Sequence, residues 1–293
     1  MNLAKWHGLG NDYLVVEEAD LQAELTPEAV SLLCDRHRGV GSDGILVVGR
    51  PSGAVPGAVA RMRVLNPDGS EPEMCGNGIR IFARYLAAQG SIEGPEFVVE
   101  TLAGAIRPRL LPDGTVRVDM GRARFVSANI ASETPGADVV DASLDVGGTD
   151  YRFTFVDVGN PHCVITVADP AAFDVAGVGS LVERHPLFPN RVNVEFVRVE
   201  SDGSVRMRVW ERGVGETQAC GTGATAVGAA AVRLGLASSP VRVHLLGGDL
   251  TIEVEDGSSA PRVFMTGPAD EVFMCRLSDD LIRRLGWPVT TSP

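Results

Sequence analysis

Two cysteines in this chain occupy matched places in a duplicated unit. The first copy reads Arg61-Met-Arg-Val-Leu-Asn66 and then Cys75-Gly-Asn-Gly78; the second reads Arg206-Met-Arg-Val-Trp-Glu211 and then Cys220-Gly-Thr-Gly223. In both, the cysteine lies 14 residues after the first arginine, so the copies are offset by 145 residues. Both then run without proline for a dozen residues and end in glycine, at Gly90 and Gly235. Two related halves folded face to face would bring two equivalent thiols to one cleft from opposite sides. Thiols flanking one carbon suit a racemase or epimerase.

A cysteine immediately before Gly-x-Gly and a buried helix is in a particular electrostatic setting. The glycines let a substrate approach the backbone closely. The N–H groups at the helix start, and the helix dipole, favour negative charge there. That setting lowers a thiol pKa. It also offers donors to a carboxylate whose charge grows as the α-carbon loses its proton. Gly76 and Asn77 would supply such N–H groups in one half, and Gly221 and Thr222 in the other. One thiolate would take the α-proton and the opposite thiol would return one on the other face. Cys34, Cys163 and Cys275 lack this context and read as small buried hydrophobes.

The elements that must position these groups are legible in outline. Segments near 12–18, 45–49, 61–66, 96–101 and 116–120 are short, β-branched and bounded by turn residues, so they read as strands. The second half repeats the order, near 151–157, 163–167, 192–199, 205–210, 241–246, 250–255 and 262–266. Residues 27–38 read as a helix, with Thr26 as N-cap and Pro27 as its first residue. Helices are also expected over 76–89 and 221–234, the latter with few charges on any face and therefore buried. Each half thus reads as a sheet wrapped around its own central helix, in an α/β (α+β) fold. Residues 127–150 are polar and weakly periodic and read as a linker with an irregular strand. The echo extends further: Gly10-Asn11-Asp12-Tyr13 recurs as Gly159-Asn160-Pro161-His162.

At 293 residues the chain allows one large or two ordinary domains. The duplication favours two: 1–120 with a C-terminal segment 267–293, and 121–266. The net charge of −12, with no basic block, argues against nucleic acid. No apolar run is long enough to span a bilayer. The first residues, MNLAKWHGLGNDY, lack the apolar core of a signal peptide, which points to the cytoplasm. Five irregularly spaced cysteines do not suggest a disulfide framework.

With these residues in view, the chain resembles the diaminopimelate epimerases. The resemblance runs from HGLGNDYLVV at 7–16 to the MTGPA block at 265–269 and the Val-Phe at 272–273. Its most specific blocks are Asn66-Pro-Asp-Gly-Ser-Glu-Pro-Glu-Met-Cys75-Gly-Asn-Gly, Gly159-Asn-Pro-His-Cys163, Arg191-Val-Asn193 and Glu211-Arg212-Gly-Val-Gly-Glu-Thr-Gln-Ala-Cys220-Gly-Thr-Gly-Ala. The resemblance implies an enzyme without cofactor or metal that interconverts LL- and meso-diaminopimelate. It implies that Cys75 and Cys220 are the acid/base pair, tuned by His162 and Glu211. Asn11 and Asn160 would hold the reacting end of the substrate. Asn66, Asn193 and Arg212 would grip the distal amino-acid end, with Glu211 accepting from its ammonium. It also implies two pseudo-symmetric halves, each a β-barrel-like sheet around a helix with the active-site cleft between them, and a homodimer. Where some members carry glutamine after Gly-x-Gly-x-Asp, this chain has Gly44.

Other readings are weaker. Gly39-Val-Gly-Ser-Asp-Gly44 leads into a strand, and Gly221-Thr-Gly-Ala-Thr-Ala226 lacks the acidic residue a dinucleotide's ribose requires. Cys34-Asp-Arg-His37 is a lone C-x-x-H without a second pair for zinc; His37 is expected at the helix C-terminus, complementing the dipole. A proline- or hydroxyproline-type racemase, an isomerase of similar shape using a glutamate, and a non-catalytic amino-acid-binding protein of the same fold are the remaining alternatives.

Overall fold

Thr26 caps the first helix, its hydroxyl accepting from Ala29 N at 3.3 Å, with Pro27 at the first helical position. This is seen in a computed structural model that describes residues 1–72, 75–126, 130, 136–255 and 259–289. In chain order the first elements are β1 (Asn2–Gly8), β2 (Asn11–Glu17), α1 (Pro27–Cys34), β3 (Ile45–Gly49), β4 (Ala58–Leu65) and α2 (Gly76–Ala88). There follow β5 (Val98–Thr101), β6 (Gly104–Ile106), β7 (Arg109–Leu110), β8 (Val116–Arg122), β9 (Ala142–Val146), β10 (Thr149–Asp157) and β11 (Pro161–Thr166). Next are α3 (Val175–Glu183), β12 (Asn193–Val199), β13 (Val205–Glu211), β14 (Gly215–Thr217), α4 (Gly221–Arg233), β15 (Val241–Leu245) and β16 (Gly248–Val254). The chain closes with β17 (Arg262–Gly267), β18 (Asp270–Arg276) and α5 (Asp279–Arg284).

The chain forms two compact units, Met1–Val118 together with the chain from Pro268 onward, and Asp119–Gly267. In the first, the sheet order is β18-β1-β2-β3-β4-β5-β6. In the second it runs β17-β16-β15-β13-β12-β11-β10-β9, with β14 added on β13. The duplication is visible strand by strand. β2 and β3 pair in parallel, as do β4 and β5, with antiparallel pairing between β3 and β4. β11 and β12, then β13 and β15, repeat the parallel pairs, with antiparallel pairing between β12 and β13. Each parallel pair requires a crossover. α1 and α3 lie in the first crossover of each unit, and α2 and α4 in the second.

Each sheet curves around its second crossover helix. α2 packs on β1, β2, β3, β4, β7 and β18, and α4 on seven strands from β10 to β17. Nine of the first ten residues of α4 are small or β-branched and buried, so the sheet can close in on it from several sides. The expected barrel-like form is not a closed barrel, because neither sheet order returns to its first strand among the described residues. In the first unit Leu277, Ile282 and Trp287 join the core built by Leu14, Val30 and Leu33. The second unit's core stacks Phe155 on Phe188, with Phe153 edge-on to the same ring.

Some expectations need correction. The helix expected over 27–38 ends at Cys34, because the Asp35 carboxylate takes the amides of His37 and Arg38, each at 2.8 Å, into a turn. His37 therefore lies beyond the helix terminus. β1, β6, β7, β14, β18, α3 and α5 were not read from the sequence, and of the 127–150 linker residues 127–129 and 131–135 lie outside the described residues, while 142–146 form β9. No helix among the described residues is long and apolar enough to cross a membrane.

Candidate active site

The two cysteines do the same structural job. Cys75 is the N-cap of α2, its sulfur accepting from Gly78 N at 3.2 Å. Cys220 is the N-cap of α4, accepting from Gly223 N at 3.4 Å. A thiol sulfur thus takes the place that a Ser or Asp oxygen usually fills, and the positive end of a 13-residue helix points at it. Gly76 and Asn77, and Gly221 and Thr222, are the first helical residues, whose amides have no partner within the helix by geometry. Glycine at the third position eases crowding around the sulfur. A Cβ on Gly78 would lie 3.1 Å from Leu46 Cδ2, and one on Gly223 would lie 2.8 Å from Glu195 Oε1.

In the first unit, Asn77 Nδ2 donates to Asn11 Oδ1 and Asn11 Nδ2 donates to Asp43 Oδ2, both at 2.9 Å. Arg36 bridges Asp43 and Asp12, and Lys5 also reaches Asp12. Behind Cys75, Arg80 is fully buried within α2 and donates to Gly76 O, Asn77 Oδ1 and Pro268 O. Burial holds its guanidinium down to about 10, with the negative charge of Cys75 acting the other way. Asn66 sits at the end of β4, in a turn where its Nδ2 donates to Ser70 Oγ at 2.9 Å. Asn11, Gly76, Asn77 and Cys75 are therefore brought together, while Asn66 belongs to the neighbouring turn.

In the second unit the selected residues form one network. Asn160 Nδ2 donates to Thr222 Oγ1 at 3.3 Å, and Thr222 Oγ1 lies 3.5 Å from Cys220 Sγ. His162 is fully buried, with Nε2 facing Asn160 Oδ1 at 3.0 Å and Nδ1 facing Glu195 Oε1 at 2.6 Å. Glu195 is also fully buried, and its Oε2 has no hydrogen-bond partner among the described residues. The half-buried Glu211 accepts from Thr217 Oγ1, and burial raises its carboxyl against hydrogen bonds from Thr217 and Cys220. Burial, then the charges of Glu211 and Glu195, push the Cys220 thiol well above its ordinary range. The Thr222 hydroxyl and Gly223 N–H oppose this without reversing it.

Asn193 holds the loop that presents Arg212. Its Oδ1 accepts from Arg212 N at 2.9 Å and its Nδ2 donates to Pro161 O at 3.1 Å. The exposed Arg212 side chain touches Asn190 O. Glu183 of α3, which the sequence did not single out, clamps the same loop from below. It accepts from Trp210 Nε1 at 2.8 Å, from Gly213 N at 3.0 Å and from Arg191 Nη1 at 3.3 Å. Arg80 and Glu195 were missed as well. Each is a charge flanked by apolar neighbours, Ile79 and Ile81 around Arg80 and Val194 and Phe196 around Glu195, and that mismatch was the available signal. Among the described residues no group of three or more His, Cys, Asp or Glu side chains could hold a metal ion.

The family model for diaminopimelate epimerase matches residues 3–126 and 154–272. A diaminopimelate epimerase of Moorella thermoacetica is 48% identical over 279 residues, covering 93% of this chain and 98% of the relative. One from Desulforudis audaxviator is 50% identical over 277 residues, covering 93% and 98%. Among solved structures, a hydroxyproline epimerase from Agrobacterium vitis aligns with a TM-score of 0.67 at 19% identity, covering 94% of this chain and 90% of that one. A methylitaconate-delta-isomerase aligns at 0.65 with 13% identity, covering 100% and 99%. These two similarities show the shared fold. The chain belongs to the diaminopimelate epimerase family.

Glu183 gives a pH-dependent prediction. Burial pushes its carboxyl up, but the Trp210 indole, the Gly213 amide and Arg191 outweigh it, and the net direction is down from 4.5. A depressed carboxyl stabilises the fold above its unfolded value and loses that contribution as pH falls through the folded one. Glu183→Gln is therefore expected to cost about 1–3 kcal/mol at neutral pH. The deficit should shrink below pH 4.5. Denaturant melts of both proteins across this range check it; a deficit that does not change with pH contradicts it.

Proposed function

We propose that this chain interconverts LL- and meso-diaminopimelate by proton transfer at one α-carbon, without a cofactor. Membership of the family supports the substrate. The observation that carries the chemistry is the repeated N-cap thiol, Cys75 on α2 and Cys220 on α4. One thiolate removes the α-proton and the other thiol delivers a proton to the opposite face, so the stereocentre inverts. Reversing the direction exchanges the two roles. The helix-start amides of Gly76, Asn77, Gly221 and Thr222 stabilise the charge that builds on the substrate carboxylate.

The surroundings of Cys220 support a proton-donor role in the resting enzyme, since burial and two carboxylates favour its thiol form. Asn11 and Asn160 orient the reacting end, each already fixed by an amide or hydroxyl neighbour. His162 orients Asn160 and is itself held by Glu195. At the distal end Arg212 pairs with the second carboxylate. Glu211 and Asn66 complete that end, with Asn193 fixing the backbone of Arg212. We further propose that the enzyme works in the cytoplasm as a homodimer. Edge strand β18 exposes Val272, Phe273 and Met274, an apolar surface that a second copy would cover.

Incubation of the reduced protein with LL-diaminopimelate in D2O, without pyridoxal phosphate or metal, is expected to give meso product carrying deuterium at the inverted α-carbon. Proton NMR with chiral separation reads this directly; absence of both exchange and inversion contradicts the reading. Arg212→Ala is expected to raise KM by about 10–100-fold, from loss of a charged hydrogen-bonded pair. Steady-state kinetics check this, and an unchanged KM removes Arg212 from the substrate site.

A further inference from the structure

The strand that enters beneath each thiol carries a polar ring at the same place in the duplication. Tyr13 on β2 corresponds to His162 on β11, each ending a Gly-Asn-x-x run. Both strands then pair in parallel with the next strand, Leu14 against Ile45 and His162 against Asn193. The rings are used differently. His162 faces Glu195 and Asn160. Tyr13 is buried, at 5% exposure, and its hydroxyl lies 3.3 Å from Cys75 Sγ.

The neighbouring residue explains why the ring fits. A Cβ on Gly44 would fall 2.7 Å from Tyr13 Cε1 and 2.7 Å from Leu65 O. Any side chain at position 44 must therefore displace the ring or the strand. Glycine at position 44 leaves the space that Tyr13 occupies.

We propose that Tyr13 is a positioning residue for Cys75, its phenol holding the sulfur through an O–H and S contact that exists because position 44 is glycine. The proposal rests on the proton-transfer role given to Cys75 above. The phenol donates to the sulfur when Cys75 is a thiolate and can accept from its S–H when it is a thiol. The sulfur thus keeps one partner through both halves of a proton-transfer cycle, alongside the Gly78 amide. Tyr13→Phe removes one oxygen and keeps the ring, so packing against α2 and the room at Gly44 are preserved.

The test is the rate at which iodoacetamide alkylates Cys75, followed by mass spectrometry of its peptide from pH 6 to pH 9, with the Cys220 peptide as internal reference. Tyr13→Phe is expected to slow Cys75 alkylation about tenfold near neutral pH and move its profile to higher pH, because a donor to the thiolate is lost. Cys220 should be unaffected. The same variant should lower kcat with little change in KM. Overlaid Cys75 profiles overturn the proposal, even if turnover falls. A shifted profile in a protein that shows no epimerisation would sustain the Tyr13–Cys75 contact and reject the activity proposed for the chain.

Discussion

A cysteine sulfur capping the N-terminus of a glycine-led, buried helix is the constraint on which the rest of each unit depends. It fixes the sulfur against the third helical amide, at Gly78 or Gly223, so the thiol has one defined position. It favours glycine at that third position, because the Leu46 side chain in one unit and the Glu195 side chain in the other come close to where a Cβ would stand. It requires a helix that can be buried, because the sheet packs on it from several sides, so the polar residues it carries, such as Arg80, must find partners inside. The parallel pairs of strands follow, since the helix is the crossover between them. The placement of each thiol and the fold are therefore specified by the same residues.

The duplicated frame is dressed with different charges. In the first unit a buried cation, Arg80, stands in the helix behind Cys75, and a phenol touches the sulfur. In the second unit Glu211 and Glu195 stand near Cys220 and favour its neutral thiol. Arg80 is accommodated because Gly8 leaves room for it: a Cβ there would meet Arg80 Nη2 at 2.9 Å. This difference suits a reaction in which one sulfur must accept a proton while the other gives one. The exchange of a few side chains on a common backbone sets the thiols apart without changing their geometry.

The thiols and their helices were legible because cysteine before Gly-x-Gly is a local pattern and recurs at a fixed offset. The strands were legible from β-branched runs, with ends correct to a few residues. What was hidden depends on tertiary contact. β1 carries Lys5, Trp6 and His7 amid its apolar residues, so no alternation marks it, and β18 is an exposed edge strand without a buried face. α1 stops at Cys34 through side-chain hydrogen bonds that a helical period does not reveal. Glu183 and Glu195 find their partners far along the chain, Trp210 and His162 lying 27 and 33 residues away. Gly44 was visible in the sequence, but its closeness to Tyr13 is a tertiary contact between segments about 30 residues apart.

The most direct measurement compares Cys75→Ser and Cys220→Ser with the native chain. A serine oxygen still caps the helix, while its hydroxyl is far too weak an acid to serve as the base near neutral pH. Each variant is expected to keep its helical circular dichroism and melting temperature and to lose epimerisation of LL-diaminopimelate by several orders of magnitude. Substantial turnover by either folded variant would contradict the two-thiol account.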